Sequence, residues 1–301
     1  MNRMTRALFG LIAIPALAQD REPEKLPAAA GVHEIRSTSH PDIRYWVHVP
    51  KSYRPGSPIP LLISYGKHYE NAAAEVGKWA QAAEAGPFIA VGTTIGKNEW
   101  SGHVDLSEEI FERANRSFTL NPYAVCLTCR GVDHILPSLL KRPDLFRYAA
   151  QRDGWKQNYQ PPQVSDDQRK LLAASHAWLK MRWGTLDAAY DEEAFEKASV
   201  CFGALGLKSL KMDRREQYGD GSPEVAAWFK EKLAQDQAVL GASLAADKDI
   251  ARARELAKAG KHTQALDLLR KRIKGGAILP QARAKVEREI EALEKEAPKD
   301  K

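Results

Sequence analysis

The stretch NPYAVCLTCRGVDHILPSLLKRPDLF, Asn121 to Phe146, decides the fold of this chain. Ala124 to Thr128 reads as a short buried strand. A tight turn follows at Cys129-Arg130-Gly131. An apolar helix then runs from about Val132 to Leu140 and stops at Arg142-Pro143, where the proline turns the residue before it away from helix. A strand that passes through a sharp turn into a helix holds the turn residue at the edge of a sheet.

The flanking sequence repeats the same alternation. Upstream, Gly31–Ser37 and Asp42–Val49 read as strands, with Ile43, Tyr45, Val47 and Val49 on one face. Ile59–Tyr65 is a continuous apolar run, as expected of a parallel strand buried on both sides. Ala72–Ala85 is helical with Val76, Trp79 and Ala83 on one face, Phe88–Thr93 is another buried strand, and Asp105–Ser117 is an amphipathic helix with Asp105 or Ser107 as its cap. Downstream, strands are expected over Arg147–Asp153, His176–Trp183 and Ser209–Arg214, and a helix over Glu192–Leu205. Gly154–Lys170 reads as a long loop. Strands alternating with helices imply an α/β protein, a mostly parallel sheet flanked by helices and joined by right-handed crossovers.

The ends of the chain differ from this body. Arg3 and Arg6, an apolar run over Ala7–Ile14 and the small-x-small site Ala16-Leu17-Ala18 read as a signal peptide, 1–18. The run is too short to span a bilayer, and no later segment is long enough. The expectation is an exported protein, periplasmic or secreted from a bacterium. Residues 19–30 read as a flexible lead-in, 31–240 as the α/β domain and 247–301 as a helical appendage. There Ala253, Leu256, Gly260, Ala265 and Leu269 match the spacing of one tetratricopeptide-like hairpin. The net charge is +6, but residues 247–301 alone carry +5 and residues 19–246 carry −1. The basic residues of the appendage are interspersed with Glu, which describes a solvated helical face and not a nucleic-acid surface.

Several phrases resemble one known group. Tyr45-Trp46-Val47-His48-Val49-Pro50-Lys51-Ser52-Tyr53, the strand–turn–helix at Asn121–Phe146 with its closing Arg142-Pro143-Asp144-Leu145-Phe146, and the helix carrying Trp228-Phe229 resemble secreted α/β-hydrolases of the polyhydroxybutyrate-depolymerase and feruloyl-esterase kind. That resemblance implies where the chemistry belongs. The turn is the nucleophile elbow, read there as Gly-His-Ser-x-Gly. Here Cys129 and Asp133 hold the glycine positions and Gly131 the serine position. The loop after the third strand, Gly66-Lys67-His68, matches the His-Gly-Gly-Gly type oxyanion loop, with Lys67 and His68 where glycines are expected. Asp187 falls on the acid of the triad. Gln217 or Tyr218 stands where the catalytic His is expected, and a phenol with a pKa of about 10 cannot replace an imidazole base near neutral pH.

A Ser–His–Asp hydrolase needs all three groups. The sequence therefore predicts an α/β-hydrolase-fold protein that has lost serine-esterase chemistry. Its old cleft would bind a small molecule or a protein, with no cofactor or metal implied. Two rivals stand beside this reading. One is an active carboxylic-ester hydrolase with a relocated constellation, for which Ser101, His103, His68 and Asp133 lie on loops expected near the same face. The other is a thiol oxidoreductase using Cys126 and Cys129, a Cys-x-x-Cys at a strand-to-helix junction. Zinc held by these cysteines and His134 lacks a fourth ligand at the usual spacing.

Overall fold

The structure is a computed structural model. It describes residues 25–66, 71–94, 103–129, 132–152, 164–175, 177–184, 200, 203–205, 207, 209–215 and 221–296. Eight strands form one sheet: β1 Gly31–Arg36, β2 Arg44–Val49, β3 Ile59–Gly66, β4 Ile89–Thr94, β5 Leu120–Cys129, β6 Tyr148–Gln151, β7 Trp178–Gly184 and β8 Ser209–Arg215. Among the described residues there are eight helices: α1 Ala72–Ala85, α2 His103–Ser117, α3 Val132–Lys141, α4 Asp166–Ser175, α5 Ser222–Gln235, α6 Gln237–Lys258, α7 His262–Lys274 and α8 Pro280–Glu296. The strand order is β1-β2-β4-β3-β5-β6-β7-β8. β1, β2 and β4 pair antiparallel, and every pair from β4 through β8 is parallel.

Alternation along the central strands sorts the core into two layers. Leu61, Ile63 and Tyr65 of β3 and Val125, Leu127 and Cys129 of β5 face α2 and α3, against Leu106, Ile110, Ile135 and Leu139. Leu62, Ala90, Cys126 and Tyr148 face the other way, onto Val76 and Trp79 of α1 and Val225 and Phe229 of α5. Because both faces are covered, the central strands β3 and β5 are apolar at most positions. α1 lies unusually close to β4. A Cβ built on Gly92 would sit 2.4 Å from the backbone nitrogen of Val76, so only glycine allows this approach.

Three polar ties fix the outer elements. Glu109 of α2 accepts from Ser37 Oγ at 2.7 Å, from the N–H groups of Thr38 and Ser39 at 2.9 Å, and from Ser39 Oγ. Burial raises its pKa. The hydrogen bonds from Ser39, Ser37 and the Thr38 and Ser39 amides outweigh that and hold it at about 2. Asp236, between α5 and α6, accepts from Tyr148 Oη at 2.7 Å and Trp178 Nε1 at 2.9 Å and pairs with Arg147 at 2.9 Å. Tyr123 Oη donates to Asp247 of α6 at 2.9 Å, and Lys285 Nζ of α8 donates to Tyr123 Oη at 3.0 Å. Around that last tie, Tyr123 and Ala124 pack into one apolar cluster with Leu240, Ile250, Leu269 and Val286.

The structure corrects the sequence reading in places. A helix, α4, occupies part of the stretch read as a loop over Gly154–Lys170. Its start is a capping box: Gln168 N–H donates to Ser165 Oγ at 3.2 Å, and Ser165 N–H donates to Gln168 Oε1 at 3.0 Å. β5 is longer than Ala124–Thr128 and includes Cys129, which is not in the turn. β6 is shorter than Arg147–Asp153. α6 runs unbroken through the interval between residue 240 and residue 247. Leu26, inside the segment read as flexible, is buried, and its N–H donates to Ser117 Oγ at 2.7 Å. The signal-peptide residues 1–18 and most of the helix read over Glu192–Leu205 lie outside the described residues. Among the described residues no helix is long and apolar enough to cross a membrane.

Two measurements check these packing arguments. Gly92→Ala is expected to lower the urea-unfolding free energy by about 3 kcal/mol, because the new methyl meets backbone and not a flexible side chain. The Glu109 pKa is lower in the folded chain than its ordinary 4.5, so its contribution is complete above about pH 4.5 and is lost as pH falls toward about 2. Glu109→Gln is expected to cost on the order of 2 kcal/mol near neutral pH, and progressively less across that acid window.

Candidate active-site frame

The carboxyl ends of the parallel strands are where an open α/β sheet offers a crevice. β5 is central there, flanked by β3 and β6. Tyr65 and Cys129 are register partners at the ends of β3 and β5, and Cys129 and Gln151 at the ends of β5 and β6. β5 ends at Cys129 and α3 begins at Val132, so residues 130 and 131 make the whole connection. The sequence puts Arg130 and Gly131 in it.

Of the residues singled out from sequence, Gly66 is described: it closes β3, is buried and pairs with Thr94. Lys67, His68, Gly131, Asp187, Gln217 and Tyr218 lie outside the described residues. In chain order each follows the carboxyl end of a strand: Lys67 and His68 after β3, Gly131 after β5, Asp187 after β7, Gln217 and Tyr218 after β8. The relocated set fares differently. His103 opens α2 and Asp133 lies within α3, so neither is on a loop, and Ser101 is outside the described residues.

The cysteine pair is settled by strand geometry. Cys126 and Cys129 stand three apart in one strand, so they project to opposite faces, Cys126 toward α1 and α5 and Cys129 toward α2 and α3. Both are buried, and neither is in a disulfide. Burial pushes the Cys126 thiol well above its ordinary pKa, away from reactivity. The two sulfurs can neither bond to each other nor share an ion, which overturns the thiol-oxidoreductase reading.

Beneath the strand ends lies a group that sequence reasoning missed. Glu75 of α1 and Arg152, the residue after β6, are wholly buried and pair at 2.5 Å. The Glu75 carboxylate also accepts from Ser64 Oγ, from Trp79 Nε1 at 3.3 Å and from Lys78 Nζ at 3.1 Å. Arg152 donates to the Tyr65 carbonyl at 2.9 Å and to Ser222 Oγ at 3.1 Å, and its guanidinium lies 5.4 Å over the Trp79 ring. The signal available in sequence was Glu75 itself, one turn before Trp79 on the apolar stripe of α1. On the opposite face, Tyr65 Oη and Ser107 Oγ share a hydrogen bond of 2.5 Å, and burial pushes the Tyr65 phenol above its ordinary pKa.

No protein-family model matches the sequence, and no curated protein matches it either. Solved structures do. A thermostable esterase superposes with a TM-score of 0.51 at 13% identity over 67% of this chain, and the chain spans only 62% of that protein's length. FphF, a fluorophosphonate-binding serine hydrolase of Staphylococcus aureus, gives 0.50 at 11% identity over 68% of this chain and 99% of its own. LpqC, a poly(3-hydroxybutyrate) depolymerase from Bordetella parapertussis, gives 0.50 at 16% identity over 69% of this chain and 91% of its own. The fold is that of the α/β-hydrolases. In active α/β-hydrolases a sharp strand-to-helix turn carries the nucleophile.

Thiol titration tests the cysteine geometry. In a Cys201→Ser variant, Cys126 and Cys129 are expected to be inert to an aromatic disulfide reagent in the folded protein and to react in denaturant. Fast reaction of either in the native state would contradict their burial.

Proposed function

We propose that this chain is an exported α/β-hydrolase-fold protein that has lost serine-esterase chemistry and uses the old cleft to bind a small molecule or a protein. The observation that carries this reading is the elbow. Its two-residue connection, bounded by Cys129 and Val132, contains Arg130 and Gly131, and glycine has no atom that can attack a carbonyl. Gln217 and Tyr218, in place of a general base, and Lys67 and His68, in place of oxyanion-loop glycines, support the same conclusion from separate loops. Asp187 is then a loop carboxylate without a triad to serve. Export rests on the signal-peptide pattern at 1–18. The C-terminal helices are a tetratricopeptide-like hairpin, α6 and α7, completed by α8.

The esterase-fold neighbours name the substrate class that an active version would use. Purified protein is therefore assayed with short p-nitrophenyl esters and with a fluorophosphonate probe. No saturable turnover and no covalent labelling are expected. Turnover that the probe abolishes would establish a relocated nucleophile and overturn the reading.

A further inference from the structure

We propose that Arg152 is the positioning residue of the cleft, fixing the ends of β3 and β5 and the start of α5 relative to one another. The inference rests on the reading that the cleft is a binding site. It also deepens that reading, because a site held this way has a set shape before any ligand arrives.

The reach of this one residue is the first argument. Its backbone N–H donates to the Cys129 carbonyl at 2.8 Å, at the last residue before the elbow. Its guanidinium donates to the Tyr65 carbonyl, one residue from the end of β3, and to Ser222 Oγ at the first residue of α5. The loops that the fold uses for the oxyanion donors, the nucleophile and the base are rooted at these three points. Trp79 lies over the guanidinium and Glu75 neutralises it, and the whole residue is buried.

Energetics supply the second argument. A wholly buried ion pair is a poor way to gain stability, since hydrophobic residues of similar volume usually do as well or better. What such a pair does supply is direction. A planar guanidinium donates along fixed lines, and Arg152 directs its own toward a β3 carbonyl, a helix-start hydroxyl and the Glu75 carboxylate. The polar ties at Glu109 and Asp236 join secondary-structure elements elsewhere, and the Tyr65–Ser107 hydrogen bond ties one root to α2, whereas Arg152 reaches all three.

Hydrogen exchange read by mass spectrometry on the full chain separates positioning from general stability. The double variant Glu75→Met/Arg152→Met replaces the pair with apolar side chains. It is expected to keep its melting temperature within a few degrees while exchange rises about tenfold or more at Tyr65–Gly66, Cys129 and Ser222–Val225. Exchange in β1, β2 and α6 to α8 is expected to stay as in the parent chain. Unchanged exchange at the three roots would overturn the proposal, as would uniform acceleration that follows a fall in melting temperature. Ser222→Ala removes a single link and decides the matter if the double variant does not fold. Faster exchange confined to Ser222–Val225 supports the proposal, and no change overturns it. The ester assay does not bear on this outcome, so either reading can fail alone.

Discussion

A buried carboxylate has to be satisfied on every side, and the placement of α1 follows from that requirement at Glu75. One of its oxygens meets Ser64, Trp79 and Arg152, and the other meets Lys78. Removing one partner of such a pair costs about 3–5 kcal/mol, a large share of a domain's stability. The helix must therefore lie close enough to β3 for a short serine to reach the carboxylate. Gly92 makes that approach possible, because the backbone of Val76, the next residue along α1, passes where any larger side chain on β4 would stand. A missing side chain on β4 and a charge on α1 are thus two halves of one constraint.

The amino-terminal edge of the sheet is organised by a different device. Asp236 ends α5 and starts α6, and its carboxylate gathers Arg147, Tyr148 and Trp178 from the roots of β6 and β7. That fixes the direction in which α6 leaves the body. A single helical hairpin cannot bury its own apolar face. Here α8 covers part of it, and Tyr123 and Ala124 of β5 cover more. The Lys285–Tyr123–Asp247 contact satisfies the polar atoms at this junction, so the three helices pack on the sheet and do not stand apart from it.

Periodicity made most of the fold legible, because both faces of the sheet are covered and the central strands are apolar at most positions. It failed where burial is one-sided. α4 buries only Leu172 and Ser175, too little for a stripe, and its one clear signal was the Ser165–Gln168 capping box. The early part of β5 carries Asn121 and Pro122, and its Tyr123 and Ala124 pack on the C-terminal helices and not with the sheet core. In the site, the junction of β5 and α3 was legible because it is a local phrase of strand, turn and helix. The Glu75–Arg152 pair was not, because its members are far apart in sequence, and Glu75 on the apolar stripe of α1 signals a buried carboxylate without naming its partner.

Frame and chemistry are separable here for a physical reason. β5 stops at Cys129 and α3 starts at Val132, and both elements are held by apolar residues that pack in the core, Leu127 and Cys129 on one and Ile135 and Leu139 on the other. The packing that sets these two elements therefore does not depend on what chemistry their connection carries. The buried ion pair is a different matter. It is not part of the apolar packing and is no better for stability than a hydrophobic substitute. Its contacts converge on the ends of β3 and β5 and the start of α5. Direction, and not burial, is therefore what this pair contributes: it sets where α1, the two strand ends and the start of α5 stand relative to one another.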